Sequence, residues 1–479
     1  MVTLTSGSLL ERARRAASAG RSDKDLVIDG WAEALGFEGR FHWRLGGSRF
    51  LLREEGPRAR TIGATEQRVW LREGSAPARD LVWGEADQAR LFAAVLSGGW
   101  TEPASGVTVT PLAGGKLELT FGRRQAVLTL DPDTLRPREL EVHAAFGRPT
   151  WHFSSEVVDG TAFPKCLEHH LPAGIVHRFH AETVEREAAA APSAYEGPGA
   201  PATSGMDASR PADVEVRRPA HGFLLVQPEI DGRVIGHFIF DTGAGGNVIT
   251  PRAAEDLGLS RIGSSWLGLA GGAAPGALRQ AFSMRLGPLT IDDPAFVEMD
   301  LSALSAYAGE EITGIFGYDF LRRAVIEIEV AAPRLRFFDP QTTDESLPWQ
   351  EIAIYGNHVY ARASFEGHEG WFRLDTGAPQ VPLLFNGPAV QSLRLLEGRE
   401  TTQASIGVPG GTMNVAMGQV GDFSLGGHVF GPLPAIFPLE STGAFADRET
   451  VGNLGQECLS PFRVRLDYGR RRAAFIERS

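Results

Sequence analysis

The chain reads as an all-β protein in two parts: an antiparallel, half-barrel-like β domain, then two copies of one β unit. Three observations carry this. Large apolar residues alternate with period two through much of the first 186 residues. A stretch rich in Ala, Pro, Gly and Ser follows. Beyond it the tetrapeptide Asp-Thr-Gly-Ala occurs twice, at 241–244 and 375–378, each time after an apolar run.

In the first part, Phe41, Trp43 and Leu45 alternate, as do Leu117, Leu119 and Phe121, then Leu140 and Val142, then Trp151 and Phe153. Such alternation makes half-buried antiparallel strands with one wet face. Gly46-Gly47, Gly114-Gly115 and Asp131-Pro132-Asp133 are turn signals between them. Residues 9–17 and 86–96 read as helices. A sheet curved or half-closed into a barrel over 1–186 accommodates these elements. This pattern resembles the lipoprotein-carrier type of half-barrel found ahead of some bacterial aspartic peptidases. Trp31, Trp43, Trp70, Trp83, Trp100 and Trp151 are read as core, with a ligand cavity as the alternative.

Residues 187–218 contain few large apolar side chains. Such a stretch buries too little surface to offset its ordering entropy, so a flexible linker is expected.

From residue 219 onward the sequence repeats. Asp241-Thr242-Gly243-Ala244 follows Phe238-Ile239-Phe240, and Asp375-Thr376-Gly377-Ala378 follows Trp371-Phe372-Arg373-Leu374. Downstream stand Gly314-Ile315-Phe316-Gly317 and Gly452-Asn453-Leu454-Gly455, with 76 and 80 residues from each Asp to its closing glycine. Past that glycine the copies stay in step: Leu321 with Leu459, Ile326 with Val464, Ile328 with Leu466, Phe337 with Phe475. Matched motifs followed by matched strands mark a duplicated unit. Lobe one is expected over 219–345 and lobe two over 346–479.

The repeated turn suits acid–base chemistry. A strand that ends in an Asp on a tight turn presents a carboxyl, glycine tolerates the close approach of chain to chain, and threonine offers a bracing hydroxyl. These motifs resemble the retropepsin-like aspartic peptidases, including bacterial members of the aspartyl protease family. The viral relatives assemble one site from two identical chains; here two lobes in one chain would form a pseudo-dimer, so a monomer suffices. The resemblance implies Asp241 and Asp375 as catalytic pair, Thr242 and Thr376 as bracing hydroxyls, and Gly243, Ala244, Gly377 and Ala378 as turn residues. Gly317 and Gly455 would close each loop. In aspartic proteases two carboxyls about 3 Å apart share one proton, so that one serves as base and the other as acid. The resemblance also implies a flap in each lobe, with Gly271 and Gly272 in the run 267–273 and Gly410 and Gly411 in the run 405–411. A peptide or protein substrate would bind in extended form. Three positions depart from the pattern: Arg373, Asn453 and Pro379. They motivate an alternative, a two-lobed module that binds peptide without cutting it.

Other classes fit less well. A formal net charge of −12, with no basic run interleaved with aromatics, argues against a nucleic-acid partner. No stretch of 18 apolar residues marks a membrane span. No cofactor motif or Gly-x-Ser-x-Gly elbow occurs. Cys166, His169, His170, His177 and His180 lie close together, but zinc-type spacing is lacking; a hairpin over Pro172-Ala173-Gly174 with its histidines on the wet face accounts for them, and no metal is expected. The two cysteines, Cys166 and Cys458, fall in different domains, so no disulfide framework is expected. The first twenty residues lack the apolar core of a secretion signal. A native start at Met1 therefore implies the cytoplasm, whereas the family resemblance implies an extracytoplasmic setting.

Overall fold

A computed structural model describes residues 6–18, 23–35, 37–56, 58–144, 147–198, 205–342, 344–408 and 410–478. Strands dominate, and the chain divides into two compact units: residues 1–74 with 78–200, and 75–77 with 201–479. No helix among the described residues is long and apolar enough to cross a membrane.

The first unit is an antiparallel half-barrel of thirteen described strands. Its first strand, Asp25–Ala34, pairs on one side with Phe37–Gly46 and on the other with the last long strand, Val176–Glu187. The sheet stays open because its outer strands, Arg79–Leu81 and Thr108–Pro111, do not meet in its ladder. The helix Trp83–Ser97 connects these outer strands and packs Leu91, Phe92 and Val95 into the core. Phe92 stacks on Trp151 at 4.1 Å and meets Trp43 edge-on. Trp43, Trp70, Trp100 and Trp151 are buried, so these tryptophans are core.

Cys166–His170 and Val176–Glu187 do form a hairpin across Pro172–Gly174. The expected wet face is wrong for two of its histidines. His177 is buried and its Nε2 accepts from the Leu35 amide at 3.1 Å, and His169 lies flat on Trp151 at 4.0 Å. They share the inward face with Leu167 and Phe179, because alternation counted from Leu167 puts residue 169 inside. No three His, Cys, Asp or Glu side chains converge as a metal would require among the described residues.

The stretch expected as a flexible linker is docked on both sides of 199–204, which lie outside the described residues. Tyr195 is fully buried, with its hydroxyl donating to Asp25 Oδ2 at 2.5 Å. Further on, Val214 is buried and Asp213–Val214 pairs with Arg334–Phe338. A low apolar content overlooked that one well-placed aromatic anchors a segment.

In the second unit one strand order appears twice. Lobe one runs Leu225–Val226, His237–Phe240, Ile312–Phe316, Val248–Ile249, Ala295–Glu298, Gly272–Gln280, Ser260–Leu269. Lobe two runs His358–Phe365, His368–Leu374, Gly452–Leu454, Leu383–Phe385, Leu433–Pro438, Gly411–Val420, Thr402–Val408. In both, the strand leading to the Asp turn is parallel to the strand before the closing glycine. A further ladder joins the lobes: Val325–Glu329 pairs antiparallel with Phe462–Asp467. The matched positions cross over there, Ile326 facing Leu466 and Ile328 facing Val464, as a two-fold relation requires. Leu321, Phe337, Leu459 and Phe475 are all buried in one core spanning both lobes.

Candidate active site

Each Asp sits where a buried strand ends. Phe238 and Phe240 of one lobe, and Phe372 and Leu374 of the other, are fully buried, which fixes both strands against the core. The chain then turns, with Ala244 N donating to Asp241 O at 3.3 Å and Ala378 N to Asp375 O at 3.4 Å. The closing element holds each turn from beneath. Asp241 N donates to Phe316 O and Asp375 N to Leu454 O, at 3.1 and 2.9 Å. Past the closing glycines, Tyr318 N and Gln456 N donate to the carbonyls of Ala244 and Ala378, at 2.9 and 3.0 Å.

The turns meet face to face. Thr242 and Thr376 are buried, and each hydroxyl accepts from the other's amide, at 3.0 and 3.1 Å. Each hydroxyl in turn donates across the interface, Thr242 Oγ1 to Leu374 O at 2.7 Å and Thr376 Oγ1 to Phe240 O at 2.8 Å. Every hydroxyl thus acts as donor and acceptor, and no polar atom of the brace is left unpaired. The turn glycines are required by close approach. A Cβ on Gly243 would lie 2.5 Å from the Asp375 carboxyl carbon, and one on Gly377 2.5 Å from that of Asp241.

This brings Asp241 and Asp375 together, with their carboxyls within hydrogen-bonding reach. Asp241 Oδ1 accepts from the amides of Gly243 at 2.7 Å and Gly377 at 3.2 Å. Burial pushes both carboxyls above the ordinary range; the charge of Asp375 raises Asp241 further, while Arg373 pulls both back. Such a pair holds one proton under conditions where isolated carboxyls would hold none.

Three side chains that brace the site had no role in the motif. Asn453 Nδ2 donates to Asp375 Oδ2 at 3.1 Å. Gln456, buried, donates to Thr376 O at 2.7 Å. Asn247 Oδ1 accepts from Gly317 N at 3.2 Å. Only Asn453 left a signal in the sequence, as a polar residue where the first copy has Ile315.

Both glycine-rich runs are hairpins. Gly271 and Gly272 lie at the turn between Ser260–Leu269 and Gly272–Gln280, and Gly410 and Gly411 at that between Thr402–Val408 and Gly411–Val420. Pro409 of the second run lies outside the described residues. The tips abut, since a Cβ on Gly271 would come 2.7 Å from the Gly410 carbonyl carbon. Ala270, at the first tip, is buried in an apolar cluster of lobe two with Leu384, Met413 and Phe445.

Residues 226–320 match the family model described as aspartyl protease. Over this segment the chain is similar to aspartyl proteases, which supports a protease-like function. The matched residues include the turn at Asp241 and the closing Gly317; the turn at Asp375 lies outside them. No curated protein matches the sequence. Among solved structures, a LolA superfamily protein from Nitrosomonas europaea is similar at 15% identity, covering 41% of this chain and 99% of its own, with a TM-score of 0.28.

Proposed function

We propose that this protein is an aspartic endopeptidase, with its site formed between lobes 219–345 and 346–479 of a single chain. The observation that carries the reading is the reciprocal threonine brace, which holds Asp241 and Asp375 at hydrogen-bonding reach. A water between the carboxyls loses a proton to the ionised one as its oxygen attacks the scissile carbonyl carbon. The protonated one gives its proton to the carbonyl oxygen, so the pair's total of one proton is conserved. Collapse of the tetrahedral diol passes the proton taken from water to the leaving nitrogen, breaks the C–N bond and returns a diol hydroxyl proton to the other carboxyl. Asn453 donates to Asp375, two backbone amides donate to Asp241 and Arg373 acts on both, so the single proton belongs to the pair and not to either carboxyl alone. The two hairpins act as flaps over an extended peptide, which adds to their edges as a strand. Both turns come from one chain, so a monomer suffices.

The test is incubation of wild type, Asp241→Asn and Asp375→Asn with a mixed peptide library at several pH values, with a pepstatin-type inhibitor as control. Cleavage by wild type alone, blocked by the inhibitor, is expected. Equal peptide binding by all three with no cleavage would establish the non-cutting module instead.

A further inference from the structure

The two-fold relation lets every site position in one lobe be compared with its counterpart. In lobe one, Ile239 stands two residues before Asp241 and pairs with Leu225 on one side and Ile315 on the other. These three bury in an apolar cluster against Ala244 of the turn and Leu267 of the flap hairpin. The pairing in lobe two is the same, but the residues are Arg373, Tyr360 and Asn453. One flank of the paired carboxyls is therefore apolar and the other polar.

Arg373 faces away from the core, because its neighbours Phe372 and Leu374 are the buried ones. Alternation puts it on the face of Asp375. Its guanidinium lies 5.8 Å from the Tyr360 ring centre, and Nη2 reaches the Tyr360 hydroxyl at a long 3.4 Å. Its Nε is buried without a hydrogen-bond partner among the described residues. The charged groups facing it are Asp241, Asp375 and Asp447. Asp447 is engaged elsewhere, accepting from Thr450 Oγ1 at 2.6 Å and Glu449 N at 3.0 Å. With one shared charge on the pair and one on Asp447 against one guanidinium, this group of side chains has no surplus positive charge. It lacks an acceptor oxygen, not a counter-ion. A buried donor left unpaired is costly, and a ligand oxygen that reaches it recovers that cost.

We propose that the lobe-two side of the cleft is a subsite for a carboxamide side chain, glutamine or asparagine, while the lobe-one side takes an apolar one. This rests on the peptidase reading for the location of the substrate. Cleavage then falls between one apolar residue and one carboxamide residue. Glutamate is accepted less well at neutral pH and better on acidification, when its carboxyl is neutral.

The experiment uses labelled peptides with Leu, Gln or Glu at each of the two positions flanking the cut, the other held as Leu. Binding and cleavage are measured separately on wild type and Arg373→Met. Wild type is expected to bind Gln about tenfold better than Leu at one flanking position only, and Arg373→Met to reverse that preference. Equal preference for Leu on both sides overturns the subsite, and so does a Gln preference that Arg373→Met retains. The wild-type comparison needs no variant, so misfolding of Arg373→Met leaves it intact. Selective binding without cleavage leaves the subsite standing and removes the peptidase reading; cleavage without selectivity does the reverse. Absence of any binding removes both.

Discussion

Glu327 and Arg465 stand at the same place in the two copies, ten residues past each closing glycine, and face each other across the ladder that joins the lobes. Glu327 is buried, and Arg465 Nε donates to its Oε2 at 3.0 Å. Arg463 and Arg336 approach the same carboxylate at 3.4 and 3.6 Å. Breaking a buried pair by removing one member costs roughly 3–5 kcal/mol, because the other charge stays behind. Glu327→Met is expected to lose about 3 kcal/mol of stability, read as a lower denaturation midpoint at unchanged m-value. A loss below 0.5 kcal/mol would mean that the pair is solvated in solution.

The threonine brace makes a sharper prediction. Thr242→Val keeps the shape but removes the hydroxyl that accepts from Thr376 N and donates to Leu374 O. Leaving a buried amide unpaired and losing one further bond costs about 2–4 kcal/mol. Cleavage should fall more steeply than stability, because the carboxyl spacing loosens. Thr242→Ser should recover both. Matching kcat values for Val and Ser variants would show that the brace does not position the carboxyls.

Burial first, and then the neighbouring Asp375, raise Asp241 above the ordinary carboxyl range. Between the ordinary and the raised value the folded protein binds more protons than the unfolded chain, so stability falls as pH rises through that window. Asp241→Asn removes this penalty. Its melting temperature relative to wild type should climb from pH 4 to pH 8, by the equivalent of about 2 kcal/mol. A constant difference would mean that the Asp241 carboxyl is not raised in the folded protein.

The half-barrel should respond in the opposite sense. Burial, with Arg60 nearby, lowers the His177 imidazole to about 4, and burial with His177 lowers His169 well below its usual value. A depressed histidine contributes stability that is lost as pH falls from about 6.5 through the folded value. His177 alone accounts for about 3 kcal/mol of that loss. His177→Asn should flatten the acid limb of the stability profile, followed by tryptophan fluorescence from the core indoles.

Gly443 has a φ of +54°, and an added Cβ would run into the Ala270 carbonyl oxygen at the first flap tip. Gly443→Ala should lift that tip out of its cluster with Leu384 and Phe445. Faster hydrogen exchange across 260–280, with the core of either lobe unchanged, is the expected signature.

The duplication, the Asp turns and the closing glycines were legible because a repeat displays itself at fixed offsets. What escaped was set by the third dimension. Asn453 registered only as a polar intruder, yet it donates to Asp375, since the strand carrying it runs beside the one leading to that carboxyl. His169 and His177 were assigned to water, because a polar residue in an alternating strand reads as outward unless its partners are known; Trp151 covers one and the Leu35 amide occupies the other. Tyr195 was hidden by its surroundings in composition, although Asp25, which receives its hydroxyl, lies 170 positions earlier.

The ladder between Val325–Glu329 and Phe462–Asp467 has a bearing on how the molecule can be dissected. Severing the backbone between the lobes and separating the halves would strip each of its neighbour along that rim, leaving a row of unsatisfied amides and carbonyls on a newly exposed edge strand. Such a fragment would recruit a replacement strand from another copy of itself. Isolated halves should therefore be recovered as self-associated or insoluble material, and co-expression of both should restore a soluble assembly.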